Sequence, residues 1–563
     1  MNKKSNNMTD SITIFCKNNR VSLEVPIGST LTTIYDLLGA PLQHRPMNAQ
    51  VNNKTESLTY ACWQPKEIEY IDYTRDSGQR TYVRSLCHLF SKAVHDLLPE
   101  ASLHLEHPVS KGYYCTIEHA QPIRPALIEQ IKQRMQALID ADLPFQLHRV
   151  RTPEAIALFQ KNGMPDKVKL IESAGMLYTS YYELDGYINY FYGCLTPSTG
   201  YLHLFDLQPY ADGILLRVPQ RNNPAELAPM IRQDKMFHAY SEHLVLQHAL
   251  NLNNVGDLNE AIKHGHANEV IQVSEAMQEK QVAKIAEEIA RRYQEEGTRI
   301  VLISGPSSSG KTTFCKRLQV QLATNLLHPI GISLDDYFLN REDTPKDEEG
   351  EYDFESLYAL DLPYFNNDLK RLLEGEEIDL PTFHFETGKR IYRGEKLKMQ
   401  DHSILVIEGI HGLNPELTSF IEDHYKYKIY VSVLTSISLD NHNWIPTTDN
   451  RLIRRIIRDY QFRNYSAEQT IGRWPSVRRG EDQWIFPYQE NADAMFNSAM
   501  LYELAALRKF AEPILSEVPE SSPAHAEAYR LLRFLRYFNY IPDKTLPGTS
   551  LLREFLGGGS FKY

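Results

Sequence analysis

The apolar residues of this chain come in short bursts whose spacing changes several times, and the changes mark its parts. ITIFC (Ile12–Cys16), a KNNR turn and VSLEV (Val21–Val25) read as a hairpin, and PIGSTLTTIYDLL takes up helical spacing behind Ser29 or Thr30 as N-cap. AQVNN and EIEYIDY add short strands, so residues 1–74 predict a β-grasp-like unit. Between residues 223 and 297 the chain turns helical and charged. There Val270, Val273, Met277, Val282, Ile285 and Ile289 fall near one face, which predicts a helix docking the front half onto the C-terminal half. The remainder, 298–563, begins with RIVLIS (Arg299–Ser304), whose continuous apolar run is that of a buried strand, followed by the helical spacing of KTTFCKRLQVQLA.

Between that strand and that helix stands GPSSSGKTT, which meets the pattern G-x-x-x-x-G-K-[ST] with Gly305, Gly310, Lys311 and Thr312. The order has a physical reason. Glycines let backbone N–H groups of Ser307, Ser308 and Ser309 curl around an anion, and the helix that opens at Lys311–Thr313 turns its positive dipole end towards it. Lys311 then reaches the β/γ-phosphates and the Thr312 hydroxyl ligates Mg²⁺, so ATP and Mg²⁺ are the expected cofactors. A second strand, from Ile330 to Leu334, ends in Asp335 and Asp336, and a third, SILVIEGIHGL, delivers Glu408 after four apolar residues. In an α/β sheet the ligand sits beyond the carboxyl ends of the strands. A carboxylate at the second strand can therefore accept the proton of an attacking hydroxyl, and Glu408 can hold the metal. RLIRRIIRDYQFR sets Arg451, Arg454, Arg455 and Arg458 on one helical face, opposite Leu452, Ile453, Ile456 and Ile457, and is read as a lid carrying guanidinium groups to a transferring phosphoryl.

Composition narrows the alternatives. The 563 residues exceed what one core organises, and a net charge of −12 provides no global field for nucleic acid. Six cysteines without a C-x-x-C pair argue against a disulfide framework or zinc knuckle. His264 and His266 lack a nearby carboxylate or thiol cluster and read as polar surface. The N-terminus has basic residues but no apolar region behind them, and no apolar run is long enough for a bilayer, so the expected compartment is the cytoplasm, without membrane attachment. No N-K-x-D or L-S-G-G-Q stretch comes after the phosphate loop, which disfavours a GTPase or a transporter ATPase.

Three resemblances organise these readings. Residues 1–74 resemble a TGS domain, the ubiquitin-like module that heads threonyl-tRNA synthetases. VRSLCHLFSKAVHDLLP (Val83–Pro99) and YINYFYGCLTPSTGYLHLF, within 75–222, resemble a helix and a later strand segment of the second synthetase domain. That family's hydrolytic site uses H-x-x-x-H and C-x-x-x-H pairs; here the positions hold Arg84 and His88, then Cys194 and Ser198, so editing is not expected. Residues 299–515 resemble the uridine kinase and phosphoribulokinase family, through GPSSSGKTT, SLDDYF, YDFESLYALD, LPTFHFETGKR, VIEGIHGL, RRIIRD and FPYQENAD. The whole resembles bacterial nucleoside kinases: an α/β P-loop kinase domain, with a parallel sheet covered by helices on both faces, behind a β-grasp TGS domain and an α+β synthetase-like domain.

The kinase resemblance implies residue roles. Asp335 rather than Asp336 matches the base for a sugar 5′-hydroxyl, with Lys311 and Arg458 as its catalytic companions. Arg454 and Arg455 join the phosphate loop around the nucleotide, and Tyr337, Asp353, Phe383 and Arg463 fall on the acceptor side, Asp353 at the ribose. The implied substrate is a pyrimidine ribonucleoside, with homo-oligomers common in the family. Departures put the base in question: Phe383 and Thr387 or Gly388 stand where a tyrosine and a histidine are usual, and Gln489 and Glu490 replace lysines. TSISLDNHNWIPTTDN has no counterpart. The retained front half also fits a reading in which it senses RNA or a nucleotide and the P-loop domain acts as a switch.

Overall fold

The computed structural model describes residues 10–120, 122–347, 350–384 and 386–562. Ser11–Cys16 and Val21–Pro26 form the expected hairpin, and Lys66–Asp72 joins it in parallel beside Pro46–Val51. The helix Leu31–Leu38 is capped by Thr30, whose side chain accepts from the Thr33 N–H. This is the β-grasp arrangement that the alternation predicts.

The second module is built around the helix Asp76–Leu97, all of whose residues from Thr81 to Val94 are buried. It carries a four-stranded antiparallel sheet and a three-stranded one. The segment expected as a strand after Tyr187 is strand only to Asn189; the chain then runs through loop and a short 3₁₀ turn at Thr199–Tyr201. The helices Val255–Lys263 and Ala267–Glu295 come next, and Val282, Ile285 and Ile289 share one hydrophobic core with Phe159, Leu170 and Tyr190 in front and Val301, Phe314 and Leu318 behind.

The last part holds five parallel strands in the order His328–Ser333, Ser403–Glu408, Ile300–Ser304, Lys426–Ser432, Ala494–Asn497. Strand alternation divides the core: Val301 and Ile303 enter the layer on one face, Ile300 and Leu302 the layer on the other. A parallel sheet covered on both faces is the α/β form expected. The unmatched insertion docks onto the front half. Asn441 donates its N–H to Asp166 and accepts from Leu105, Asn443 donates to the Tyr190 carbonyl, and Trp444 packs on Tyr113. Lys167 of the front half and Asp440 of the insertion pair at 3.1 Å with no solvent access.

Candidate active site

Register brings the chemistry to one edge. Glu408 is the residue opposite both Ile303 and Ser333, so the phosphate loop, Glu408 and the turn bearing Asp335 leave from the carboxyl ends of three adjacent strands. The second strand stops at Ser333, one residue earlier than the apolar run suggested, and Leu334–Tyr337 forms a 3₁₀ turn.

Backbone space explains the glycines of the loop. Gly310, at φ +86°, precedes the helix Lys311–Thr324, and a Cβ there would meet the Leu551 side chain at 2.5 Å. At Gly305 a Cβ would lie 2.1 Å from the Val431 carbonyl oxygen. The hydroxyls of Ser308 and Ser309 are buried and find no hydrogen-bond partner among the described residues, as suits a cradle completed by a ligand. Ser307 is held from three directions. Its N–H donates to Glu481 at 3.0 Å, its carbonyl accepts from Arg451 Nε at 2.9 Å, and its hydroxyl accepts from Arg455 at 2.6 Å.

Lys311 donates to the carbonyls of Gly305 and Pro306. Burial lowers its pKa, against the opposing pull of Glu408, Asp335 and Glu554. The Glu408 carboxyl is pushed up to about 7 by burial and by the charges of Asp335 and Glu554, despite Lys311 and the Thr312 hydroxyl, which lies 3.4 Å away. A concentration of carboxylate that one lysine does not neutralise, lined by hard oxygen donors, fits Mg²⁺ held by Thr312 and Glu408.

The two aspartates of the turn separate by environment. Asp336 accepts the Phe383 backbone N–H at 3.1 Å, and burial pushes it up to about 6, so it anchors the strand Ile378–His384. Asp335 stays half-buried, close enough to act electrostatically on Lys311, Glu408, Glu355 and Arg463. Asp353, also half-buried, accepts the Glu355 N–H within its own turn.

The arginine helix, Thr447–Phe462, is not a lid standing away from the site. Its Leu452, Ile453, Ile456 and Ile457 are core, and its arginines divide. Arg454 is corrected outright: with no solvent access, it forms a bidentate pair with Glu503 at 2.9 and 2.6 Å and cannot turn to a nucleotide. Arg455, Arg458 and Arg463 all approach the single carboxylate of Asp459, at 3.3, 2.8 and 3.8 Å, which leaves an excess of positive charge. Neighbouring Arg458 and burial push Arg463 down to about 10.

Two acceptor-side expectations are also corrected. Tyr337 is buried, its ring against Phe365 and its hydroxyl 3.2 Å from Asp368, so it faces the core. Phe383 is 5% exposed and packs on Phe338 at 5.6 Å, which makes it part of a wall and not an open stacking surface. Of the unusual residues in FPYQENAD, Glu490 accepts the N–H groups of Lys235 and Met236 and so holds the start of the helix Asp234–Ala249.

Residue patterns missed three carboxylates here. Glu355 is raised by burial beside Arg455 and Lys311. Glu481, without solvent access, receives Ser307 N–H, Arg451 and Arg478. Glu554, from the C-terminal helix Arg553–Leu556, accepts both the N–H and the hydroxyl of Thr313. In the front half, His88 is enclosed by Phe145, Tyr187 and Phe191 and pushed down to about 3 by burial, while Cys194 contacts Thr81 at 3.4 Å.

Comparison with known proteins agrees with this division. Residues 300–504 match the family model described as phosphoribulokinase / uridine kinase. This region is a kinase domain of that family. The kinase domain is similar to the uridine kinase of Ureaplasma urealyticum, 29% identical over 197 residues that cover 34% of this chain and 85% of that protein. The N-terminal half is similar to the threonine–tRNA ligase of Desulforamulus reducens, 28% identical over 203 residues covering 35% of this chain. The matched region spans only 31% of that ligase. Among solved structures, a D-glycerate 3-kinase from Cryptococcus neoformans aligns at 14% identity over 46% of this chain and 87% of its own, with a TM-score of 0.22 that adds nothing to the assignment. The chain thus joins a phosphoribulokinase/uridine kinase family domain to a synthetase-like front half.

Proposed function

We propose that the chain is an ATP- and Mg²⁺-dependent phosphotransferase whose kinase domain moves the γ-phosphate of ATP to the 5′-hydroxyl of a ribonucleoside, a pyrimidine nucleoside in the first instance. One observation carries the reading: Asp335 stands among Lys311, Glu408 and Arg463 at the mouth of the phosphate loop. That is a base beside a phosphate cradle and a cationic wall.

In this reading the amides of the loop and Lys311 bind the triphosphate, and Thr312 and Glu408 would hold Mg²⁺, which would offset phosphate charge when bound. Asp335 accepts the hydroxyl proton as the substrate oxygen bonds to the γ-phosphorus and ADP departs. Arg455, Arg458 and Arg463 supply the positive field for the transferring phosphoryl. Asp353 belongs to the acceptor side, where its half-exposed carboxylate can accept hydrogen bonds from ribose hydroxyls. The pyrimidine preference rests on the similarity to uridine kinases. Among the described residues no helix is long and apolar enough to cross a membrane.

The experiment is ATP consumption with Mg²⁺ against a nucleoside panel, with ribulose 5-phosphate included and the Lys311→Ala variant as blank. Turnover stimulated by uridine or cytidine above the blank is expected. Stimulation by ribulose 5-phosphate alone overturns the nucleoside assignment, and ATP binding with no stimulated turnover overturns the kinase.

A further inference from the structure

A cavity of about 230 Å³ lies between the two halves, away from the phosphate loop. Its front wall is one face of the helix Asp76–Leu97, bearing Arg80 and Arg84; its back wall comes from Trp444 of the insertion and from Trp474 and Arg478 of the helix Ala467–Trp484.

The charges in this cavity do not balance. Asp76 pairs with Arg221 at 2.7 Å, Glu527 with Arg80 at 3.0 Å, and Asp449 with Arg530 at 2.6 Å. Among the described residues, Arg84 alone of the lining arginines has no carboxylate or carbonyl partner. It is 8% exposed, lines the cavity, and its guanidinium lies over the Tyr192 ring at 5.0 Å. A guanidinium set against a ring and not against a carboxylate keeps its N–H donors for an anion that enters the cavity. The surrounding surface is aromatic, with Tyr113, Tyr192, Trp444 and Trp474 lining the space. Flat rings beside a guanidinium suit a ligand that carries a planar ring and a phosphate.

The back wall of the cavity connects to the phosphate loop through a single carboxylate. Arg478 donates to one oxygen of the buried Glu481 at 2.7 Å, and the other oxygen accepts the Ser307 N–H at 3.0 Å. An anion that draws Arg478 towards the cavity therefore weakens the carboxylate's second anchor and changes how the loop is held.

The geometry points to an effector site for a nucleoside monophosphate, held by Arg84 and the aromatic walls and coupled through Arg478 and Glu481 to ATP binding. The inference does not depend on which hydroxyl the kinase phosphorylates. It is tested on the full chain by the fluorescence of Trp444 and Trp474 and by calorimetry, with uridine 5′-monophosphate, adenosine 5′-monophosphate and inorganic phosphate as probes. At least one monophosphate should bind, at least tenfold more tightly than inorganic phosphate. Arg84→Met should weaken it tenfold or more with basal turnover unchanged, and Arg84→Lys should fall between, with melting curves showing that both variants fold. Lys311→Ala and Asp353→Ala should leave the binding intact. Saturating monophosphate should shift the Kd of ATP several-fold, and ATP should shift the monophosphate's by the same factor. Binding that survives Arg84→Met and Arg84→Lys unchanged, that is lost in Lys311→Ala or Asp353→Ala, or that is absent for every probe overturns the site. An ATP affinity that ignores the bound monophosphate overturns the effector role.

Discussion

The Glu554 carboxylate accepts two hydrogen bonds from Thr313, from the N–H at 3.1 Å and from the hydroxyl at 2.8 Å, at the first turn of the helix behind the phosphate loop. Those donors are where a nucleotide's phosphates are expected, so the last helix of the chain puts its own negative charge in the cradle. Replacing Glu554 by Gln removes that charge and keeps the shape. ATP should then bind about tenfold more tightly, on the order of 1.4 kcal/mol. Titration of both proteins with ATP checks this; equal affinities show that Glu554 does not compete.

Asp335→Asn should leave ATP affinity within about twofold of the native protein and lower turnover by about 10³-fold, within the range of a lost general base. Asp336→Asn should act differently, because Asp336 holds the Phe383 N–H: its cost should appear in the melting temperature before it appears in kcat. Steady-state kinetics with parallel melting curves separates the two.

His88 sets an expectation for pH. Burial holds its folded-state pKa at about 3, below the usual 6.5, so its contribution is intact above 6.5 and is lost as pH falls from 6.5 towards 3. In that window it makes stability fall by up to about 1.4 kcal/mol per pH unit. His88→Phe should flatten the acid limb by one proton's worth of slope in denaturant titrations between pH 6.5 and 4. An unchanged slope would mean that His88 is protonated in the folded protein.

Asp440→Asn should destabilise the chain by about 3 kcal/mol, because it leaves the Lys167 ammonium buried with Asp166, at 3.5 Å, as its remaining carboxylate. Lys167→Met combined with Asp440→Leu should recover most of the loss. Urea unfolding of the native protein and the two variants measures it; a double variant as weak as the single one would refute the account.

The sequence showed those parts of the site that depend on local order. The strand–loop–helix around Gly305–Thr312 and the position of Glu408 four apolar residues into its strand come from neighbours in the chain, whereas the preference for Asp335 over Asp336 is what the family resemblance implies. The errors fall where distant residues decide. A helical wheel groups Arg454 with Arg451, Arg455 and Arg458, but Glu503, 49 positions on, takes Arg454 into the core. Tyr337 beside Asp335 looks like a site residue until Asp368 and Phe365 are folded against it. Glu481 and Glu554 carry no motif at all. Each enters the loop from a helix whose pattern describes only how that helix packs.

The Lys167–Asp440 pair also bears on how this protein can be dissected. One charge is contributed before the connecting helices and the other from the kinase insertion, and neither meets water. Severing the chain at the connector would hydrate both and strip the Trp444 ring from Tyr113. The severed kinase would then be a different molecule, with its own stability and its own loop dynamics. The buried Lys167–Asp440 pair and the Tyr113–Trp444 contact thus tie the stability of the kinase insertion to the synthetase-like front half.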